Sequence, residues 1–187
     1  MDIRRLGEVM RSPGKTVREI REGKVFVYPT DTVYGLGCNA LNEESVKRIR
    51  KAKRSRKPFS VISPSAEWIE RNLLVRFPEY MKKLPGPYTL IFRKRRKAFL
   101  REASPRESLG VRIPDHAFAY IVRVAGVPFV TTSANLSGED AIASPDELPA
   151  DIIEKTDILI DAGRLDGLPS AVIDLTGDEP RVLRSRA

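Results

Sequence analysis

Short apolar runs bounded by Gly, Pro or Ser recur along the chain. They alternate with stretches whose apolar residues fall three or four positions apart, the spacing of one helix face. The runs Val25-Phe26-Val27-Tyr28, Phe59-Ser60-Val61-Ile62, Tyr88 to Phe92, Leu109 to Ile113 and Val127 to Thr131 predict strands. Ser12-Pro13, followed by Val17 and Ile20 and then Gly23, predicts a short helix with a capping hydroxyl, Pro in its first turn and Gly past its end. Asn42 is placed to cap a helix on which Val46, Ile49 and Ala52 form one apolar stripe. Ser63-Pro64 opens a helix bearing Trp68 and Ile69, Phe77 to Leu84 predicts another before the break at Pro85-Gly86-Pro87, and Asp115 to Ala125 a further one closed by Gly126. Towards the end of the chain Ile158 to Ile160, Ala171 to Leu175 and Val182-Leu183 predict short strands with little helix between them, so the sheet of this α/β pattern is expected to be mixed. Met1 to Arg11 alternates charge with isolated apolar residues and receives no element, and Arg93 to Arg106 has the composition of a mobile, charge-rich loop.

Composition narrows the function classes. With 187 residues, 41% of them apolar and 31% charged, the chain is expected to build one sizeable core and to be a single domain over residues 1–187. Thirty-three Lys and Arg against 25 Asp and Glu give a formal charge of +8, a field that attracts phosphates, polyphosphates or nucleic acid without choosing among them. The lone Cys38 and the lone His116 exclude an internal disulfide framework and a tetrahedral zinc set, so no bound metal is assigned to the protein itself. No secretory signal and no run of membrane-spanning length is present, which makes a cytoplasmic location without membrane contact the expectation.

Four segments carry groups suited to ligand contact. In Tyr28-Pro29-Thr30-Asp31-Thr32-Val33-Tyr34-Gly35-Leu36-Gly37 a strand runs into a polar turn ending in two glycines, where the Thr30 and Thr32 hydroxyls either meet an amino acid or phosphate oxygen or are satisfied within a connecting turn. Eight of the eleven residues from Lys47 to Lys57 are basic; part of that run reads as a solvated helix face, whereas Arg54 to Lys57 lies at an element junction suited to clamping a polyphosphate. Arg112 interrupts an otherwise apolar strand, so it faces either a ligand anion or a structural carboxylate such as Asp115. Thr131-Thr132-Ser133-Ala134-Asn135-Leu136-Ser137-Gly138 is a second polar turn after an apolar strand, and the Asn135 carboxamide there suits either a nucleotide or a local cap. Lys94 reads as a surface position.

Together with Pro85-Gly86-Pro87-Tyr88-Thr89-Leu90, these segments resemble, in content and order, the signatures of the YrdC-type threonylcarbamoyl-AMP synthases, over nearly the whole chain and in the short, single-domain form. The resemblance implies an α/β fold with a twisted mixed sheet flanked by helices around a deep basic cavity. It also implies an enzyme that joins L-threonine, bicarbonate or CO₂ and ATP with Mg²⁺ into L-threonylcarbamoyl-AMP and pyrophosphate. Transfer RNA modification, with a downstream threonylcarbamoyl transferase and a contact with transfer RNA itself, follows as an expectation. By position, the resemblance assigns threonine contacts to Thr32, Arg112, Ser133 and Ser170. It assigns nucleotide contacts to Lys53, Arg54, Arg56, Lys57, Ser108, Asn135, Ser144 and Arg184, with Lys53 and Arg54 as the catalytic cations.

The chain departs from the family pattern at several of these positions. Ile62 stands where longer members have a histidine, which leaves a threonine contact missing or taken over by Ser63. The basic stretch is about two residues short of the usual Lys-x-Arg pattern, so Lys51, Lys53, Arg54 and Arg56 compete for two roles. Ser170-Ala171 replaces a Ser-Thr pair, and Arg184-Ser185-Arg186 replaces an Arg-Pro-Gly ending. Two rivals remain: an RNA-binding module that uses the same basic surface without catalysis, against which stands an aromatic content of only 7%, and a carbamoyl-transferring relative, which would belong to a long chain with zinc-finger-like segments.

Overall fold

The computed structural model describes residues 1–186 and is built on an 11-stranded sheet. In chain order the strands are β1 (Asp2–Arg5), β2 (Phe26–Tyr28), β3 (Gly35–Gly37), β4 (Ser60–Ile62), β5 (Leu73–Leu74), β6 (Tyr88–Lys94), β7 (Ser108–Arg112), β8 (Phe129–Ser133), β9 (Ile158–Asp161), β10 (Ala171–Asp174) and β11 (Arg181–Arg184). The helices are α1 (Leu6–Arg11), α2 (Gly14–Glu22), α3 (Glu43–Lys53), α4 (Ala66–Asn72), α5 (Ala117–Ala125) and α6 (Ala150–Lys155). The strands lie in the order β1-β9-β2-β3-β8-β4-β7-β6-β10-β11, with β5 added beside β6. Parallel pairs (β1 with β9, β2 with β9, β4 with β7, β6 with β10) mingle with antiparallel ones, so the sheet is mixed as the pattern of short late strands predicts.

Because successive side chains on a strand point to opposite faces, each strand divides its residues between two layers. On one face Val27, Leu36, Val130, Val61, Val111, Leu90 and Ile173 form a continuous core under α3, α4 and α6, which contribute Ile49, Ile69 and Ile152. On the other face a second core gathers Phe26, Tyr28, Phe129, Ile62, Ile158 and Ile160 under α2 and α5. That core is knit by aromatic contacts, with the Tyr28 and Phe118 rings stacked at 4.3 Å and Phe129 edge-on to both. It ends partway across the sheet. Along β8 the inward series on this face changes from Phe129 to Thr131 and Ser133, and along β4 from Ile62 to Ser60, so polar groups take over where helix cover stops.

The helix signals hold in kind and shift in detail. Asn42 caps α3 by accepting from the Ser45 N–H at 3.1 Å, and Gly23 and Gly126 end α2 and α5 in the left-handed conformation. Ser12 does not cap α2; it lies at the C-terminal end of α1, and Pro13 precedes α2 without a side-chain cap. Ser65, not Ser63, caps α4 by accepting from the Trp68 N–H at 3.1 Å, and His116, not Asp115, caps α5 through Nδ1. Phe77 to Leu84 forms a 3-10 turn over Pro78–Lys83 in place of an α-helix, with none of its side chains fully buried. The segment Met1 to Arg11 is ordered into β1 and α1: β1 pairs with β9 at the sheet edge, Arg4 bridges Glu19 at 2.6 Å, and α1 lays Val9, with Leu6 and Met10, against the second core, an apolar face too short to stand out from the charges around it. The two glycines after the polar turn are likewise a buried strand, β3, and α6 precedes β9 where the apolar spacing predicts no element. Arg93 to Arg106 is anchored: it begins inside β6, Leu100 and Ala103 sit in the core, and Lys94 is buried with its ammonium donating to the Ser104 carbonyl at 2.7 Å. Lys94 is therefore an interior position.

Gly37 is the tightest backbone approach in the central sheet, since a Cβ there would lie 2.0 Å from the Val130 carbonyl oxygen and 2.5 Å from the Phe129 ring. Gly37→Ala is expected to force β3 away from β8 and lower the unfolding free energy by about 3 kcal/mol or more, read as a fall in the urea midpoint at unchanged slope. An unmoved midpoint would show that the strands can separate at no cost.

Candidate active site

The uncovered part of the second face is a cavity of about 780 Å³. Its floor is the alternate-residue series Ser108, Gly110 and Arg112 of β7, with Thr89 and Ile91 of β6 and Ser60 of β4; the residues between them, Leu109, Val111 and Leu90, belong to the opposite core. Its walls are the turn after β2, the turn after β8, the segment following α3, and Ser170 with Arg184 at the far side. At the boundary with the aromatic core, the buried Tyr28 hydroxyl donates to Thr131 Oγ1 at 2.6 Å, and desolvation holds its pKa above the usual phenol range. Gly35 leaves room for that ring, because a Cβ there would come within 2.7 Å of it.

The turn after β2 is a closed hydrogen-bond circuit with one open end. Thr30 Oγ1 donates to the Val33 carbonyl at 2.8 Å, which uses its only proton, so the 2.8 Å contact with Thr32 Oγ1 has Thr32 as donor. Thr32 Oγ1 in turn accepts from Arg112 at 3.3 Å. Arg112 pairs with Asp31 at 2.6 Å, both side chains about nine-tenths buried (9% and 10% exposed), while Asp31 also accepts from the Asp115 N–H at 3.0 Å. The structural carboxylate of Arg112 is thus Asp31 rather than Asp115, which takes part only through its backbone. Among the described residues, Arg112 Nε is a buried donor without a hydrogen-bond partner. A buried guanidinium N–H without an acceptor is costly, and this one lies in a residue that lines the cavity beside Thr32.

Across the cavity, Ser133 Oγ bonds Asn135 Oδ1, and Asn135 Nδ2 donates to the Glu139 carbonyl at 2.5 Å. Lys53, the last residue of α3, is 5% exposed and donates to the Ser133 carbonyl at 2.5 Å and the Asn135 carbonyl at 2.6 Å; burial pushes its pKa down to about 8, with Glu139 opposing. At the far side Ser170 Oγ and Thr89 Oγ1 are 2.9 Å apart, and Arg184 donates through Nε to the Ser170 carbonyl at 2.9 Å. Burial and the nearby Arg112 charge hold the Arg184 guanidinium below its ordinary value.

Thr32, Lys53, Lys57, Ser108, Arg112, Ser133, Asn135, Ser170 and Arg184 are therefore brought to one cavity. Arg54, Arg56 and Ser144 are not among its lining residues. Arg54 adopts the left-handed conformation at the end of α3 and pairs with Asp151 at 2.6 Å; with Arg56 it lines an adjoining groove that shares Lys57 and Arg106 with the cavity. Ser144 opens the 3-10 turn Pro145–Glu147. Ile62 is wholly buried in the aromatic core and Ser63 Oγ donates to the Ser65 carbonyl at 2.7 Å, so neither Ile62 nor Ser63 faces the cavity. Sequence reasoning passed over Asp31, which stands inside the quoted turn but is 81 positions from Arg112, and Arg106, which was placed within a loop. Cys38 is fully buried, with desolvation raising its pKa, and His116 is a helix cap, so neither is a cavity nucleophile.

A family model named for Sua5, YciO and YrdC and described as telomere recombination matches residues 18–185. The chain belongs to the Sua5/YciO/YrdC family. A putative threonylcarbamoyl-AMP synthase of Methanocaldococcus jannaschii is 35% identical over 170 residues, which cover 87% of this chain and 79% of that protein. The solved structure of Pyrococcus abyssi Sua5 complexed with L-threonine superposes with a TM-score of 0.81 at 33% identity, covering 98% of this chain but 56% of that one. Escherichia coli YciO superposes equally well, with a TM-score of 0.81 at 28% identity over 94% of this chain and 89% of that one. The chain thus spans little more than half of the P. abyssi relative and most of the other two. Among the described residues no helix is long and apolar enough to cross a membrane, and no group of three or more His, Cys, Asp and Glu is gathered that could hold a metal ion.

For this Sua5/YciO/YrdC member the Arg112–Asp31 pair sets the cost of disturbing the cavity. Asp31→Ala is expected to destabilise the fold by about 3–5 kcal/mol, because it leaves a buried guanidinium uncompensated, and Asp31→Ala/Arg112→Met to recover most of the loss. Urea unfolding of both variants checks this; equal destabilisation by the single and double changes would contradict it.

Proposed function

We propose that this chain is a nucleotidyltransferase that makes L-threonylcarbamoyl-AMP and pyrophosphate from L-threonine, bicarbonate or CO₂ and ATP, for threonylcarbamoyladenosine modification of transfer RNA. The observation that carries this reading is the Arg112 guanidinium on the cavity floor, bonded through Nη2 to Asp31 and the Thr32 hydroxyl and left with further N–H donors that no described residue accepts. Spare guanidinium donors at the floor of a polar cavity call for an anionic acceptor, and an amino-acid carboxylate fits a guanidinium edge better than a single oxygen does. The names of the relatives, and the L-threonine with which P. abyssi Sua5 is complexed, support the choice of amino acid.

In this reading threonine lies between Arg112, Thr32, Ser133 and Ser170. The nucleotide lies along Lys57, Ser108, Asn135 and Arg184, with Arg106 added by its place in the cavity lining. The neutral threonine amine adds to CO₂ with loss of a proton, or to bicarbonate with loss of water, to form a carbamate, whose oxygen attacks the α-phosphorus as pyrophosphate leaves. No protein nucleophile is required; the chain supplies orientation and positive charge in a water-poor hollow. Mg²⁺, when bound, would neutralise charge on the leaving phosphates, and it is assigned to the ATP rather than to a protein cage, as is common for this ion. The sequence-derived roles of Arg54 and Arg56 shift to the adjoining groove, where leaving phosphate or transfer RNA would meet them.

Pyrophosphate release by the purified protein is expected only when ATP, Mg²⁺, bicarbonate and threonine are all present, and release indifferent to threonine would refute the proposal. Salt-sensitive RNA binding without such release would favour the RNA-binding module instead. Thr32→Ala is expected to raise the apparent KM for threonine about tenfold, the loss of roughly one hydrogen bond, with little change in the KM for ATP. A shift confined to ATP would place threonine elsewhere.

A further inference from the structure

Lys53 was assigned from the sequence to phosphate contact, yet its surroundings leave it nothing to give a phosphate. An ammonium has three N–H donors. Its Nζ lies 2.5 Å from the Ser133 carbonyl, 2.6 Å from the Asn135 carbonyl and 3.3 Å from Asn135 Oδ1, all on the turn leaving β8. The main chain repeats the connection, with the Lys53 carbonyl accepting from the Ser137 N–H at 3.3 Å. Asn135, gripped in this way, passes the constraint on through Nδ2 to the Glu139 carbonyl at 2.5 Å, while its Oδ1 also holds the Ser133 hydroxyl. Among the described residues no carboxylate bonds Lys53; apart from the nearby Glu139 charge, its ammonium is held by carbonyl dipoles that all belong to one wall of the cavity.

We propose that Lys53 is a positioning residue whose ammonium ties the end of α3 to the 133–139 wall and acts on substrates only through Ser133 and Asn135, without touching phosphate. The alternative, a phosphate ligand, requires Lys53 to break at least one of these carbonyl bonds inside a site where it is almost wholly buried. Lys57, four residues on and in the same cavity, bonds no residue of that wall through its side chain and is the natural comparison.

The test is hydrogen exchange by mass spectrometry on the whole chain, with Lys53→Met, which keeps much of the stem and deletes the donors, against Lys57→Met. Lys53→Met is expected to speed exchange of the 133–139 amides at least about tenfold, and Lys57→Met to leave them within about twofold of the unsubstituted protein. If Lys53→Met does not fold, Lys53→Gln, which retains an N–H₂ group on a shorter stem, is expected to give a smaller increase in the same segment. Kinetically, Lys53→Met is expected to raise the KM for threonine and for ATP together, since the wall serves both. Unchanged exchange at 133–139 with a rise confined to the KM for ATP would overturn the proposal and make Lys53 a phosphate ligand. The kinetic readout rests on the threonine and ATP reading, but the exchange readout does not, so a failure of that reading is seen as absent threonine-dependent turnover while the exchange result still decides the role of Lys53.

Discussion

The structure depends on one constraint: a sheet of alternating strands must bury apolar side chains on both faces, and here only one face carries a core that runs from β9 to β10. The core beneath α3, α4 and α6 runs through β2, β3, β8, β4, β7, β6 and β10, and each fully buried Leu, Ile or Phe in it contributes roughly 1.5–3 kcal/mol of transfer free energy. That continuous layer lets β7 and β6 carry Ser108, Gly110, Arg112 and Thr89 on their other side without losing their place in the sheet. The cavity is therefore the unroofed half of a face whose other half is an aromatic core.

Electrostatics within the cavity are settled by short-range partners rather than by net charge. Arg112 has a carboxylate, Lys53 has carbonyls, and Arg184 has the backbone and hydroxyl of Ser170. Each cation fixes a different wall: the turn after β2, the turn after β8 and the approach to β10. Removing such a partner exposes the full desolvation cost of the group left behind, which is why these contacts constrain geometry more tightly than the exposed pairs on the surface. The ion pair at Arg54 and Asp151, with Arg54 73% exposed, belongs to the latter kind.

The departures from the family pattern acquire physical meanings once placed. Ile62 is part of the aromatic core that borders the cavity, and Ser63 is turned into the loop before α4, so neither supplies the polar group expected at that position. The Thr32, Arg112 and Asp31 corner is assembled without it. The end of α3 at Lys53 puts that side chain beneath the β8 turn and leaves Arg54 and Arg56 in the outer groove.

Most of the strands, the α3 cap and the glycine stops of α2 and α5 were legible in the sequence, because period-two and helical apolar spacing report local burial directly. The two hydroxyl-rich turns and Arg112 were legible as site material for a related reason: polar groups interrupting apolar strands need an explanation wherever they lie. What the sequence could not decide were relations between distant segments. The pairing of β1 with β9 rests on backbone hydrogen bonds, β3 is a strand of Gly-Leu-Gly with one side chain to pattern, and Asp31 meets Arg112 only because β2 and β7 lead to the same end of the sheet. Lys53, Arg54, Arg56 and Lys57 are near-equivalent as letters, and the turn that ends α3 alone determines which is buried under a wall, which faces the cavity and which faces the outer groove. Residue types fixed the layers and the supply of charge; tertiary packing chose the partners, since desolvation and hydrogen bonding act between atoms a few ångströms apart, whatever their separation along the chain.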